Sequence, residues 1–193
     1  HRSSTRNHCK EQAMNIVVTG ASTYGVNNMG DDAMLATLVE GLKRSFVDPR
    51  ITFLARHVDE EYDNIFGFNS IKNLDHDNKK ESDGRFFLGM NIGDETHNLH
   101  IIKNAIDEAD LLIIGGNSFM EISSNEFLRG VSSYSATLAM LAKFCNTPYA
   151  LYGVNVVDKI THDVTKQHAR FLCENAVAVT MRENSGKNYL LKL

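Results

Sequence analysis

The sequence predicts an α/β fold, a Rossmann-like three-layer sandwich on a mainly parallel sheet. Short, continuously apolar or β-branched runs recur along the chain, as expected of strands buried on both faces. Between them lie stretches with apolar residues three and four apart, and such strand–helix alternation implies a parallel sheet covered on both sides. The first apolar run also ends in a Gly-rich turn that feeds a helical pattern, which places a turn at a strand's carboxyl end, where open α/β sheets hold ligands.

The predicted strands are Asn15–Thr19, Ile51–Ala55, Leu111–Ile114, Tyr149–Tyr152 and Ala176–Met181. A first helix carries Leu35, Leu38, Leu42 and Phe46 after Asp31 and Asp32. The second carries Leu99, Ile102, Ala105, Ile106 and Ala109, and the third Leu128, Val131, Leu138 and Leu141. Val164, Phe171 and Leu172 mark a weaker fourth. The charged, weakly periodic segment 69–85 reads as a long surface loop or lid.

A chain of 193 residues defaults to one domain, and 42% hydrophobic with 23% charged residues is ordinary for a globular protein. Net charge −4 argues against nucleic acid or an anionic membrane as the main partner. No apolar run approaches the roughly 18–20 residues that span a bilayer. Cys9, Cys145 and Cys173 form no C-x-x-C pair and cannot all be bridged internally, so reduced thiols and a cytoplasmic location are expected. Residues 1–13 are polar, lack the apolar core of a signal peptide and read as a tag or disordered extension; the domain is expected over 14–193, with a natural start near Met14.

The turn in 15-NIVVTGASTYGVNNMGDDAML-35 is not a dinucleotide fingerprint. A short-chain dehydrogenase loop, T-G-x-x-x-G-x-G, needs glycine where Tyr24 and Val26 stand, and Gly20, Gly25 and Gly30 are five apart, which also fails G-x-G-x-x-G. A side chain at the second glycine blocks a pyrophosphate's approach. No tyrosine is followed four residues later by lysine, so the catalytic pair of that enzyme class is missing too. Asp31 and Asp32 sit where a bare phosphate would meet like charge; carboxylates there suit hydroxyl groups such as those of a sugar. The plainer alternative is that Asp31 caps the helix. Asn28-Met-Gly-Asp-Asp32 recurs as Asn91-Ile-Gly-Asp-Glu95 before another helical pattern, but only the first copy directly follows a buried strand.

Four landmarks in order make the sequence resemble the polysaccharide pyruvyl transferase family. The most specific is Gly25-Val-Asn-Asn28-Met-Gly30-Asp31-Asp-Ala33, against a family loop G-x-x-N-x-G-D-x-A. Ala109-Asp-Leu-Leu-Ile-Ile-Gly115-Gly116-Asn117-Ser118 follows A-D-x-x-I-x-G-G-G, with Asn117 in place of the third glycine. Gly153-Val-Asn155 stands for a G-x-G-like turn, and Arg182-Glu-Asn-Ser185 for an R-D-x-x-S box that opens a helix.

The resemblance implies one half of a two-domain, GT-B-like enzyme, the second domain being absent from this chain. It further implies transfer of a carboxyvinyl group from phosphoenolpyruvate to hydroxyls of a sugar or polysaccharide precursor, leaving a pyruvate ketal, without a cofactor. The donor needs cations for its phosphate and carboxylate, and these are expected largely from the second domain. The acceptor side then falls to Asn28, Gly30, Gly115, Gly116, Asn117, Ser118, Asn155 and Arg182, with Asp31 as the catalytic candidate, binding or deprotonating a sugar hydroxyl. The alternatives are a GT-B-type glycosyltransferase using a nucleotide sugar and a non-catalytic binding domain of the same fold. A homo-oligomer is left open.

Plainer roles exist beside these. Arg182 could pair with Glu183, and Ser185 could serve as a local cap. His97 and His100, three apart near Asp94 and Glu95, lack the ligand set of a zinc site, and no metal is expected. His57 follows the second strand without further support for a role. His168 falls on the apolar stripe of its helix and reads as a packed ring, and Cys145 and Cys173 as buried, inert thiols.

Overall fold

A computed structural model describes residues 13–20, 29–55, 58–73, 98–116, 118–119, 131–156 and 159–193. The elements run β1 (Asn15–Thr19), α1 (Met29–Ser45), β2 (Arg50–Ala55), α2 (Glu60–Phe66), β3 (Asn69–Lys72), α3 (Asn98–Asp107), β4 (Leu111–Gly115), α4 (Val131–Phe144), β5 (Tyr149–Val154), α5 (Asp163–Asn175), β6 (Ala178–Met181) and α6 (Asn184–Leu190). The six strands form one sheet in the order β3-β2-β1-β4-β5-β6, and every neighbouring pair is parallel. The predicted α/β class holds, and the order is that of the dinucleotide-binding Rossmann sheet rather than the flavodoxin one.

Alternation along the strands divides the core. Ile16 and Val18 of β1 join Ile51 and Phe53 of β2 under Leu35, Leu38, Val39 and Leu42 of α1. Val17 faces the other way, with Leu112 and Ile114 of β4 and Tyr149 and Leu151 of β5, under α3, α4 and α5. Each fully buried leucine or isoleucine contributes about 2 kcal/mol, so burial is the main force docking these helices. Polar groups lock the seams: Tyr149, wholly buried, donates its hydroxyl to the Leu172 carbonyl at 2.9 Å, and Thr147 donates to Ile106 at 2.7 Å.

Three expectations need correction. Segment 69–85 is not all loop, because its first four residues are β3, paired in parallel with β2. A short helix, α2, precedes it and holds it: the Asp63 carboxylate accepts from both the backbone N–H and the hydroxyl of Ser70, at 2.8 and 3.0 Å. Asp59 caps that helix by accepting from the Glu61 N–H. Residues 74–85 lie outside the described residues. Finally, the last strand starts at Ala178, and it is not buried on both faces: Ala178, Val179 and Thr180 are exposed, as befits the sheet's outer edge.

Candidate functional site at the carboxyl rim

From β1 the chain steps outward to β2 and β3, then returns to place β4 on the other side of β1. Loops leaving β1 and β4 therefore diverge to opposite faces and open a crevice at the carboxyl rim. At its floor the two loops touch backbone to backbone. Gly20 and Gly116 both have left-handed backbones, φ +68° and +73°. A Cβ on Gly20 would lie 2.5 Å from the Gly115 carbonyl oxygen, and one on Gly116 would overlap the Gly20 carbonyl. Beneath them Thr19 is buried and shares a 2.5 Å hydrogen bond with the Tyr134 hydroxyl of α4.

Beside this floor lies a cavity of about 520 Å³. Ala33, Met34 and Thr37 of α1 form one wall, and Gly116 the base. The opposite wall is Tyr152 and Gly153 of β5 with Thr180 and Met181 of β6, and Arg182 stands just past β6.

The opposite wall owes its shape to a bulge. Leu151 pairs with Val179 and Val154 with Met181, so Tyr152 and Gly153 together face Thr180 alone. Gly153 accommodates the extra residue with φ +57° and donates its N–H to the Thr180 hydroxyl at 2.8 Å. Its carbonyl accepts from Nε of Arg182, also at 2.8 Å. This bond tethers the guanidinium at the cavity, while its terminal nitrogens carry no hydrogen bond to the described residues. Arg182 does not pair with Glu183; that carboxylate instead accepts from the Ser185 hydroxyl at 3.1 Å. That plainer alternative does not form because the bulged carbonyl supplies an acceptor that sequence spacing does not reveal.

Other predicted site residues fall as follows. Gly115 ends β4, buried, and Gly116 lines the cavity. Ser118 is buried, with its hydroxyl donating to the Gly115 carbonyl at 2.9 Å, so it closes the turn. Asn155 is half-buried after β5 and outside the cavity lining. Helix α1 begins at Met29, which puts Gly30 and Asp31 in its first turn. Asp31 is thus the third residue of the helix, three positions past the cap, a place where carboxylates in general are favoured by the positive end of a helix. The Asp31 backbone is described, whereas Asn28, Asn117, His57 and His97 lie outside the described residues. The sequence does not mark Met34, Thr37, Tyr152, Thr180 and Met181 as lining residues, and Ala33 and Gly153 enter it only as members of the first and third landmarks.

His168 is buried and shares a 3.2 Å hydrogen bond with Ser132, and burial lowers its pKa, in keeping with a packed ring. The thiols of Cys145 and Cys173 are partly rather than fully buried; desolvation raises both pKa values, that of Cys173 to about 11. Among the described residues no group of three or more His, Cys, Asp and Glu could hold a metal ion, and no helix is long and apolar enough to cross a membrane.

Comparison with known proteins bears on this geometry. The family model for polysaccharide pyruvyl transferase matches residues 28–193, a span that includes every element lining the cavity. The chain belongs to the polysaccharide pyruvyl transferase family. No curated protein matches it. Among solved structures, one described as a UDP-N-acetylglucosamine 2-epimerase from Listeria monocytogenes is similar at a TM-score of 0.49 and 13% identity. That match covers 93% of this chain and 42% of the other, so the chain spans less than half the length of that protein. Of the four sequence landmarks, the third holds the bulge and the fourth Arg182, while Gly116 belongs to the second and α1 grows from the first.

Proposed function

We propose that the chain is the amino-terminal, acceptor-side domain of a GT-B-like pyruvyl transferase that moves a carboxyvinyl group from phosphoenolpyruvate to a sugar. The family match over 28–193 carries this reading. In the proposed reaction a proton is delivered to the methylene carbon of phosphoenolpyruvate, and a sugar hydroxyl attacks the neighbouring carbon. Phosphate leaves, and a second hydroxyl of the same sugar closes the ketal. Both hydroxyls lose their protons, so a carboxylate near the acceptor is useful. Asp31, in the first turn of α1, is the candidate for that role.

The cavity lining supports an acceptor role over a donor role. Phosphoenolpyruvate brings a phosphate and a carboxylate, which need several cations or donors in a desolvated site. Arg182 is the only cation among the described lining residues. The donor's partners are therefore assigned to a second domain outside these residues, and the reaction requires no cofactor.

The test is to incubate the intact enzyme with phosphoenolpyruvate and candidate sugars, following phosphate release and ketal formation. Asp31→Asn is expected to cut ketal formation by about 100-fold or more, with a stability loss of no more than about 1 kcal/mol from the weakened helix-end interaction. Failure to fold would assign Asp31 a structural role. Consumption of a nucleotide sugar in place of phosphoenolpyruvate would move the enzyme to the glycosyltransferases.

A further inference from the structure

Tyr152 is a large aromatic residue on a strand whose neighbours are otherwise interior. Tyr149, Leu151 and Val154 of β5 are buried at 0–1% exposure, whereas Tyr152 is 41% exposed and lines the cavity. Strand alternation turns Tyr152 away from Leu151 to the cavity side, and the bulge, by setting two residues against Thr180, returns Val154 to the core beside Leu151. Met34 of α1 and the tethered guanidinium of Arg182 line the same cavity.

We propose that Tyr152 is the acceptor-stacking residue: a sugar ring lies with its C–H face on the phenol ring and its hydroxyls toward Arg182. This deepens the acceptor reading above and rests on it. A pyranose presents one face of polarised C–H groups and a rim of hydroxyls, so it suits a site combining an aromatic surface with a few directed donors. The cavity, at about 520 Å³, falls within the roughly 300–1,000 Å³ usual for small ligands. Its two threonine hydroxyls are already engaged, Thr37 with the Ala33 carbonyl and Thr180 with Gly153 and Leu151. Among the described lining residues, the ring of Tyr152 and the terminal nitrogens of Arg182 thus remain as the principal recognition elements.

Two measurements decide the matter. In the intact enzyme, with the sugar that it converts, Tyr152→Ala is expected to raise the acceptor KM about tenfold or more, while Tyr152→Phe stays within about twofold. The KM for phosphoenolpyruvate should not move in either. A rise confined to the donor KM, or no change at all, overturns the proposal. These 193 residues contain no tryptophan, so in this chain by itself Tyr152→Trp also installs a lone reporter in the cavity while keeping an aromatic surface. Its emission is expected to shift on adding methyl glycosides without phosphoenolpyruvate. If ketal forms but emission is unmoved by the converted sugar, the acceptor reading stands and the stacking assignment falls. If no sugar is converted and none shifts the emission, both fall. Should Tyr152→Ala fail to fold, the Phe and Trp variants still decide.

Discussion

At Gly116 the backbone is left-handed and the place a Cβ would occupy is taken by the Gly20 carbonyl, whereas at Gly153 the backbone is left-handed but the surrounding space is open. The two glycines therefore predict different costs. Gly153→Ala is expected to lose about 1–2 kcal/mol, the penalty of the conformation alone. Gly116→Ala adds a collision between two backbones that neither strand can relieve, and should lose more than about 2 kcal/mol. Urea unfolding midpoints for the two variants check this, and equal losses would mean that the loops after β1 and β4 give way easily. Gly116 and Arg182 were legible in the sequence because each stands at the end of an apolar run. Tyr152 and Met34 were not. Alternation sets Tyr152 opposite Leu151, but its exposure to a cleft depends on β6 lying at the sheet's edge and on the tertiary path of α1, which also decides where Met34 lies.

Among elements, the central strands were the easiest to read, since their apolar runs are set by burial on both faces. β3 and α2 were hidden because their stability is local and polar: Ser70 is held by Asp63, α2 is capped by Asp59, and Ile71 is the one aliphatic residue in the strand. The packing of α4 against α5 carries its own prediction. His168 of α5 is buried beside Ser132 of α4, and burial holds its pKa below the ordinary 6.5. The folded state thus binds this proton less readily than the unfolded chain does. Its stabilising contribution is complete above about pH 6.5 and declines as pH falls from there toward the lowered folded value. The difference in stability between wild type and His168→Gln should change across that window and be flat above pH 7. A constant difference down to pH 5 would show that the ring is not desolvated as described.

For the whole molecule, the family and the α/β architecture were both legible, the first from four ordered motifs and the second from strand–helix alternation. The shape of the cavity was not, because it is assembled from α1, β4, β5 and β6, elements separated by most of the chain. The proposed division of labour predicts that the 193-residue chain alone leaves phosphoenolpyruvate unconsumed, as phosphorus NMR would show; turnover by this chain would place the donor's partners within it. The extra residue in β5 has a consequence for how such a cleft changes over time. Because Leu151 and Val154 both point inward, a chain lacking Gly153 would keep the odd-and-even count of its interior side chains. What it would lose is the carbonyl that anchors Arg182. A one-codon edit thus rewrites what the cleft recognises and leaves the pattern of interior side chains in place.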